Sequence, residues 1–545
     1  MKTKHIIPYG IRNRAKVVRE CMFVDSTICM RGLEPSRTSL FLHVGRFGII
    51  AATLAGACLA RAESAEEVFA SIRAKADRRI AEIRATPNGV VPENSPRRYL
   101  SEKTGSDAAD GKTPQTAWKT IARLNGEKSL EPGTYVLFER GGLYRGCVAA
   151  KPGVTYTAYG SGAKPTIYGS PEDGANPAKW ERTDNPRVWA YAIGHNDVGT
   201  LVFDGGAAHA VKIVIRTDKK TGEKFNKYTG RPFNSYHDLD GDLHFWHDYY
   251  KDGTGKVYLY SEKNPGDRFK SIEFNVKTCG FRVGGASGVV IDNFTVKYVG
   301  VHGVSAGTCR NLTVKNCEFA WIGGSIQGEA IFGRDHPTRL GNAVEVYGGC
   351  DGYSVVNCYI WQVYDAGVTH QLNIPKKDGM KRYDQKNVLY AGNVIEKCNY
   401  SIEYFLTALD GNPSLMENVL FEDNLMFDAG YGFCEQRPDR GCASHIKAWL
   451  NPNRNRAKNY VIRNNAMCFG MDVLIQVCSG LKNLDGSSSL PRLEGNVFIG
   501  REGDLFGTVS DVSGKALKCG LDTQAFVDRF GKGNRCCFMP AGGSN

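Results

Sequence analysis

A short phrase returns through the second half of this chain: VVIDNFTVKYVGVHGV from Val289, LTVKNCEFAWIG from Leu312, YSVVNCYIWQVYDAGV from Tyr353, VLYAGNVIEKCNYSI from Val388, VLFEDNLMFDAGYGF from Val419, YVIRNNAMCFGMDVL from Tyr460 and PRLEGNVFIG from Pro491. Each is an alternating apolar strand, an Asn, a second short strand and a small or polar corner. The Asn residues stand at 293, 316, 357, 393, 424, 465 and 496, at spacings of 23, 41, 36, 31, 41 and 31. A unit in the low twenties with residues added at some corners marks a solenoid carrying loops. The units are too short and too rich in Val, Ile, Tyr and Asn for helical-pair repeats, and they lack the Leu spacing of a leucine-rich horseshoe.

Such units stack as coils whose strands pair with those above and below, about 4.8 Å per rung. TCRNLTVKNC and GCDGYSVVNC then set Cys309 against Cys350 and Cys317 against Cys358, each pair 41 residues apart. An Asn at a fixed corner suits an inward ladder, since Asn bonds neighbouring backbone groups and tolerates the left-handed conformation.

The coils and the lead-in from Arg98 to Gly146, with Thr104-Gly105-Ser106-Asp107, Trp118-Lys119-Thr120-Ile121 and Tyr144-Arg145-Gly146, resemble the right-handed parallel β-helix proteins of the pectate-lyase-like superfamily. Pro132-Gly133-Thr134 departs from that pattern, having Thr where Asp is usual. The resemblance spans roughly residues 98–510 and implies an all-β right-handed parallel β-helix. It also implies a role among uronate-polysaccharide lyases, glycoside hydrolases, tailspikes and surface proteins, with no subfamily's catalytic motif matched residue by residue.

Residues 1–62 read as a targeting segment: Arg37 and Arg46 precede the apolar run Phe47 to Ala60, which is too short to span a bilayer and ends in Ala60-Arg61-Ala62. Secreted or periplasmic localisation after cleavage near Ala62 is the expectation; Met30 is an alternative start, and an uncleaved or lipid anchor at Cys58 an alternative fate. Of the 69 basic and 57 acidic residues, ten and three lie in residues 1–61, which leaves 59 against 54 and removes most of the formal charge of +12. That balance gives no support to a nucleic-acid partner.

Glu63 to Ala85 predicts an amphipathic helix with Val68, Ile72, Ala76, Ile80 and Ile83 on one stripe, suited to capping the open end of the solenoid across residues 63–97. First coils follow at 98–169 and a β-rich insertion at 170–280. The main coils occupy 281–507 and a C-terminal cap 508–545. Fourteen Cys follow Cys58. Most suit buried thiols inside strands, with Cys434–Cys442 and the tail Cys519, Cys536 and Cys537 as the candidate bridges. No paired CxxC spacing indicates zinc, and the His/Asp run from Tyr236 to Asp248 reads equally well as an exposed strand. No cofactor is expected, a calcium ion being the one candidate.

Aligning the second strands of successive coils gives an inward column of Val344, Val368, Ile402, Phe433 and Leu474. Glu345, Thr369, Glu403 and Cys434 then point outward. One place on, where a bend is expected, stand His370, Tyr404 and Glu435. The catalytic candidates are therefore His370, Tyr404, Glu403, Glu435 and Glu345. Arg437, His445, Lys447, Gln371 and Trp449 are candidates for holding substrate, the first three from a corner spanning 437–459.

As a lyase, His370 would be the base and Tyr404 the acid, with Arg437, His445 or Lys447 neutralising a uronate carboxylate. As a hydrolase, Glu345 and Glu403 two rungs apart, about 9.6 Å between backbones, stand at the upper margin for inversion and too far apart for retention. The expectation is a monomeric carbohydrate-active protein acting on an acidic or complex polysaccharide, the lyase reading ahead of the hydrolase. The alternatives are a non-catalytic glycan-binding or envelope β-helix and, third, a tailspike-like trimer.

Overall fold

The computed structural model describes residues 63–194, 197–248, 255–328, 337–407, 411–437, 443–448, 456–478, 487–510 and 516–541. The targeting segment, Cys442 and Trp449 lie outside them. The chain winds as a parallel β-helix. One face is a ten-stranded parallel sheet running in order from Arg97–Leu100 through Tyr135–Glu139, Thr155–Tyr159 and Val290–Asp292 to Arg492–Glu494. Register is kept between coils of unequal length: Thr313 pairs with Ser354, Ser354 with Leu389, Leu389 with Leu420 and Leu420 with Val461. Insertions in the sequence spacing therefore leave the column itself intact.

Two other faces continue round each coil. Tyr359–Asn373 and Val394–Thr407 are long enough to turn a corner and serve both, with a register shift between Val363 and Ala366. The interior is a single stack of apolar side chains, among them Val344, Val368, Ile402, Ile446 and Ile475.

The recurring Asn residues occupy two adjacent positions. Asn293, Asn316 and Asn357 take the left-handed conformation (φ 70°, 54° and 53°), a place filled by Gly392, Asp423, Asn464 and Gly495 in later coils. One residue on, Asn393, Asn424, Asn465, Asn496 and Asn534 form an interior ladder, each Nδ2 donating to the next Oδ1 at 2.8, 2.8, 3.0 and 3.1 Å. Each also donates to a backbone carbonyl such as Tyr390 O or Phe421 O, so the buried amides are fully satisfied.

Cys309 pairs with Cys350 across one rung. Cys519, Cys536 and Cys537 are thiols, so the tail bridges expected from sequence do not form.

The helix Ala65–Arg84 begins on a Ser64 capping box with Glu67, and buries Val68, Ala76, Ile80 and Ile83. It does not close the open end. It lies along the outer flank of one face, packed on Tyr359, Val394, Leu425, Ala466 and Cys537. Glu63 meets Arg535 in the last coil at 3.0 Å and Arg84 meets Glu318 at 2.9 Å, with Arg73–Glu396 and Arg79–Asp423 between. Twenty residues span about 30 Å, and the six rung steps from Arg535 to Glu318 about 29 Å. The first coil is instead covered from within its own loop by Trp118, Ile121 and Leu124. No described helix is long and apolar enough to cross a membrane.

Between the first coils and Phe281 the chain builds a five-stranded sheet from Trp180–Arg182, Val188–Ala192, Val211–Lys212, His244–Asp248 and Lys256–Tyr260, with its own core around Tyr191, Phe245 and Leu259. Val198–Phe203 joins this unit to the solenoid by pairing with Ile272–Val276, which in turn meets the strand Thr295–Val299.

Candidate functional site

Two-residue alternation governs the strands Val344–Tyr347, Ser444–Ala448 and Ile475–Cys478, and the strands Tyr359–Asn373 and Val394–Thr407 from Ala366 and Tyr400 onward, past their register shift. Their registers stack Glu345, Thr369, Glu403, Lys447, Gln476 and Thr508 into one outward column. Glu345 and Glu403 are two rungs apart, about 9.6 Å between backbones. Both are packed closely among neighbours, retaining 7% and 3% exposure.

Among the described residues, Glu345 meets hydrogen-bond donors: Asn342 Nδ2 at 2.5 Å, Gln371 Nε2 at 3.2 Å and His302 Nε2 at 3.2 Å. The His302 tautomer follows from its other nitrogen. Nδ1 accepts the Asn342 backbone N–H at 3.0 Å, so a neutral ring carries its proton on Nε2, facing the carboxylate. On the far side of Glu403, Lys447 Nζ donates to Gln476 Oε1.

A second pair borders this column where the coil turns. Arg437 Nη1 binds Asp365, and its guanidinium lies 5.7 Å from the Tyr400 ring centre and 5.9 Å from that of Tyr364. Burial pushes the Tyr400 phenol far up; Arg437 draws it down, while Glu403 and Asp365 push it further up, so these four groups share one electrostatic neighbourhood.

The inserted sheet fixes this corner. Gln436 Oε1 accepts from Lys212 N at 3.1 Å and from Arg339 Nη2 at 3.3 Å, and Tyr228 O–H donates to Gln436 O. Arg339, fully buried, also donates to Gly324 O at 2.6 Å and Gly199 O at 2.9 Å. Behind it Asp197 takes Lys212 Nζ at 2.5 Å, His247 Nδ1 at 3.2 Å and the Ile326 N–H at 2.5 Å. Burial alone would raise the Asp197 carboxyl, but Lys212 and His247 outweigh it and bring it down to about 2; burial lowers Lys212 to about 8.

Several sequence expectations are corrected. The bend expected at His370 and Tyr404 does not occur. They face one another on adjacent rungs, and alternation returns both side chains to the interior. His370 is held by Tyr390 O–H at 2.8 Å and Tyr460 O–H at 3.3 Å and lies parallel to the Tyr404 ring at 5.8 Å. Burial lowers it to about 3, so it is neutral near neutral pH.

Glu435 belongs to the 3-10 turn Gly432–Gln436 rather than to a strand, and its exposed carboxylate caps Gly432 N at 2.7 Å. Phe433 accordingly packs outside the solenoid with Trp321 and Tyr364. His445 and Lys447 lie on the strand Ser444–Ala448, not in a corner loop. His445 is buried between Ser401 Oγ at 3.0 Å and Phe469 O at 3.1 Å, and burial lowers it to about 4. Leu474 sits one place out of the column, Ile475 being the partner of Ile446.

The structure thus brings together Glu345, Gln371, Glu403, Lys447 and Arg437, and removes His370, Tyr404, Glu435 and His445. Sequence reasoning missed His302, Asn342 and Asp365, which stand in or beside corners whose length varies between coils. Within the Tyr236–Asp248 run, His247 turns inward to Asp197, and among the described residues no group of three His, Cys, Asp or Glu gathers as metal ligands.

Residues 263–435 match the family model described as "Right handed beta helix region". No curated protein matches this chain by sequence. Among solved structures, the chain is similar to an alginate lyase from Paenibacillus sp. str. FPU-7 (10% identity, 77% of this chain and 95% of that one, TM-score 0.33). It is also similar to the GH136 lacto-N-biosidase from Eubacterium ramulus (12%, 87% and 71%, 0.28) and to PfbA, a surface adhesin of Streptococcus pneumoniae (12%, 70% and 84%, 0.32). Over the matched residues, and in the coils that continue their registers on either side, the chain is a right-handed parallel β-helix.

Proposed function

We propose that this protein is a carbohydrate-active enzyme that hydrolyses a glycosidic bond laid across the outward column, with Glu345 and Glu403 as its two carboxylates. The observation that carries the reading is their placement on one face, two rungs apart, with Thr369 between them. Inverting hydrolysis needs carboxyl groups about 6.5–9.5 Å apart, so that a water fits between the base and the anomeric carbon. Glu345 takes the part of the base, because hydrogen-bond donors surround it and leave it built to accept. Glu403 then protonates the leaving oxygen. Lys447 and Arg437 provide cations beside the reacting groups, and half-buried Phe405 and Tyr347, 47% exposed, offer ring faces to a sugar.

A lyase reading survives in altered form. His370 in the core cannot reach a substrate, so Lys447, one rung from Glu403, would be the base and Arg437 the partner of the uronate carboxylate. A panel of neutral and acidic glycans separates the two. New reducing ends of inverted configuration by NMR, with Glu345→Gln and Glu403→Gln each losing at least about a hundredfold in rate at unchanged melting temperature, support hydrolysis. Absorbance from an unsaturated product, or full activity in both variants, overturns it.

A further inference from the structure

Beyond the outward column the chain turns at Gly348 and Gly349 into the ten-stranded sheet. At that corner lies a cavity of about 590 Å³ lined by Thr308, Arg310, Asp351, Arg382, Tyr383 and Lys386, among others. That volume is in the range of small-ligand sites. The corner is built firmly: Gln385 Nε2 donates to Gly348 O at 3.0 Å, and Gly349 N donates to Thr308 Oγ1 at 3.3 Å.

The registers of the sheet stack Arg310, Asp351, Lys386, Glu417 and Lys458 on consecutive rungs, a ladder whose charge alternates at every step. Lys386 accordingly lies 3.4 Å from Glu417, and also 3.2 Å from Asp384, which binds Arg382 at 2.5 Å. Arg310 ends the ladder. The coil before it presents Ser287, whose Oγ takes only the Arg310 backbone N–H at 3.2 Å. The Arg310 side chain is exposed on the cavity wall and, among the described residues, has no hydrogen-bond or ion-pair partner. By the pattern of the ladder, the next charge in line should be an anion, and the described residues supply none at that rung, where Ser287 stands.

We propose that the cavity is a subsite for an anionic substituent, a carboxylate or a sulfate ester, on a sugar next to those lying along the outward column. This rests on the glycan reading above only in taking the ligand to be a carbohydrate. Arg310 holds the anion with its planar fork and Tyr383 closes one wall, while Arg382 and Lys386 are already paired with the lining Asp384 and with Glu417, which leaves Arg310 as the cation for the ligand.

The test is calorimetric titration with tetragalacturonate, a sulfated neutral tetrasaccharide and an uncharged tetrasaccharide, using wild type, Arg310→Gln and Arg310→Lys. The expected result is binding of at least one charged probe, with the arm that binds identifying the anion. Arg310→Gln weakens that probe at least tenfold, and Arg310→Lys restores part of the loss. Binding of neither charged probe, or equal binding by Arg310→Gln, overturns the subsite. Anion binding that depends on Arg310, with no cleavage of any glycan, leaves the subsite standing and removes the hydrolase reading instead.

Discussion

At the scale of single residues, His370 shows how alternation overrides chemical suggestiveness. A His and a Tyr on adjacent rungs look like an acid–base pair, and their pairing was legible in the sequence. Their direction was legible too, because Val344, Glu345, Val346 and Tyr347 set the parity that Val368, Thr369, His370 and Gln371 obey; assuming a bend lost it.

The burial of His370 has a measurable consequence. Its folded pKa of about 3, and about 4 for His445, lie below the unfolded value of about 6.5. Between roughly pH 6.5 and 4 the unfolded chain takes up protons that the folded chain refuses, so stability falls as pH drops through that window. Denaturant titrations across it should show a shallower pH slope in His370→Phe than in wild type, whatever the absolute stabilities; equal slopes would show that His370 titrates normally.

Asn424 makes a related point. Its Oδ1 accepts from Asn393 N and Nδ2, and its Nδ2 donates to Tyr390 O and Asn465 Oδ1. Asn424→Ala should cost about 3 kcal/mol or more by orphaning buried partners. Asn418→Gly, on an exposed ladder at φ 57°, should stay within about 0.5 kcal/mol, glycine keeping the left-handed turn. Comparable losses at the two sites, by chemical denaturation, would refute the distinction.

Among elements, the helix Ala65–Arg84 was visible in sequence from its stripe, whereas its berth was not. Periodicity says which face is buried but not against what, and the receiving surface is assembled from seven strands distant in the chain. The same limit explains the misplaced Glu435 and Lys447: GFCEQ reads as the second strand and SHIKA as part of the corner after it, and only the pairing partners of Glu403 decide between them. The coils themselves were legible because Asn, alternation and corner recur in every one. Ile83→Asp, at a fully buried position on the helix, should destabilise the protein by more than about 3 kcal/mol and open residues 63–85 to protease. Glu82→Ala, one residue away on the exposed side, should do neither. If both variants resist protease alike, the berth on the coils is not what orders the helix.

Across the whole molecule, two assemblies share one seam. The solenoid carries the carboxylates, and the inserted sheet grips the adjoining corner through Arg339, Gln436 and the buried Asp197–Lys212 pair. Arg339→Met should therefore accelerate backbone hydrogen exchange in residues 197–214 and 226–233 while leaving the interior coils protected, and should lower turnover without altering the pH profile. Uniform exchange across both assemblies would mean that they open as one.

The flanking helix spans the column from the coil of Glu318 to the last coil, and residue 63 is tied to residue 535. Its docking therefore reports on a completed count. A product missing one coil would leave the strap a turn too long, its arginines facing the wrong acids. A segment that precedes every coil in the chain thus acts as a gauge that can be read only after the final turn has been wound.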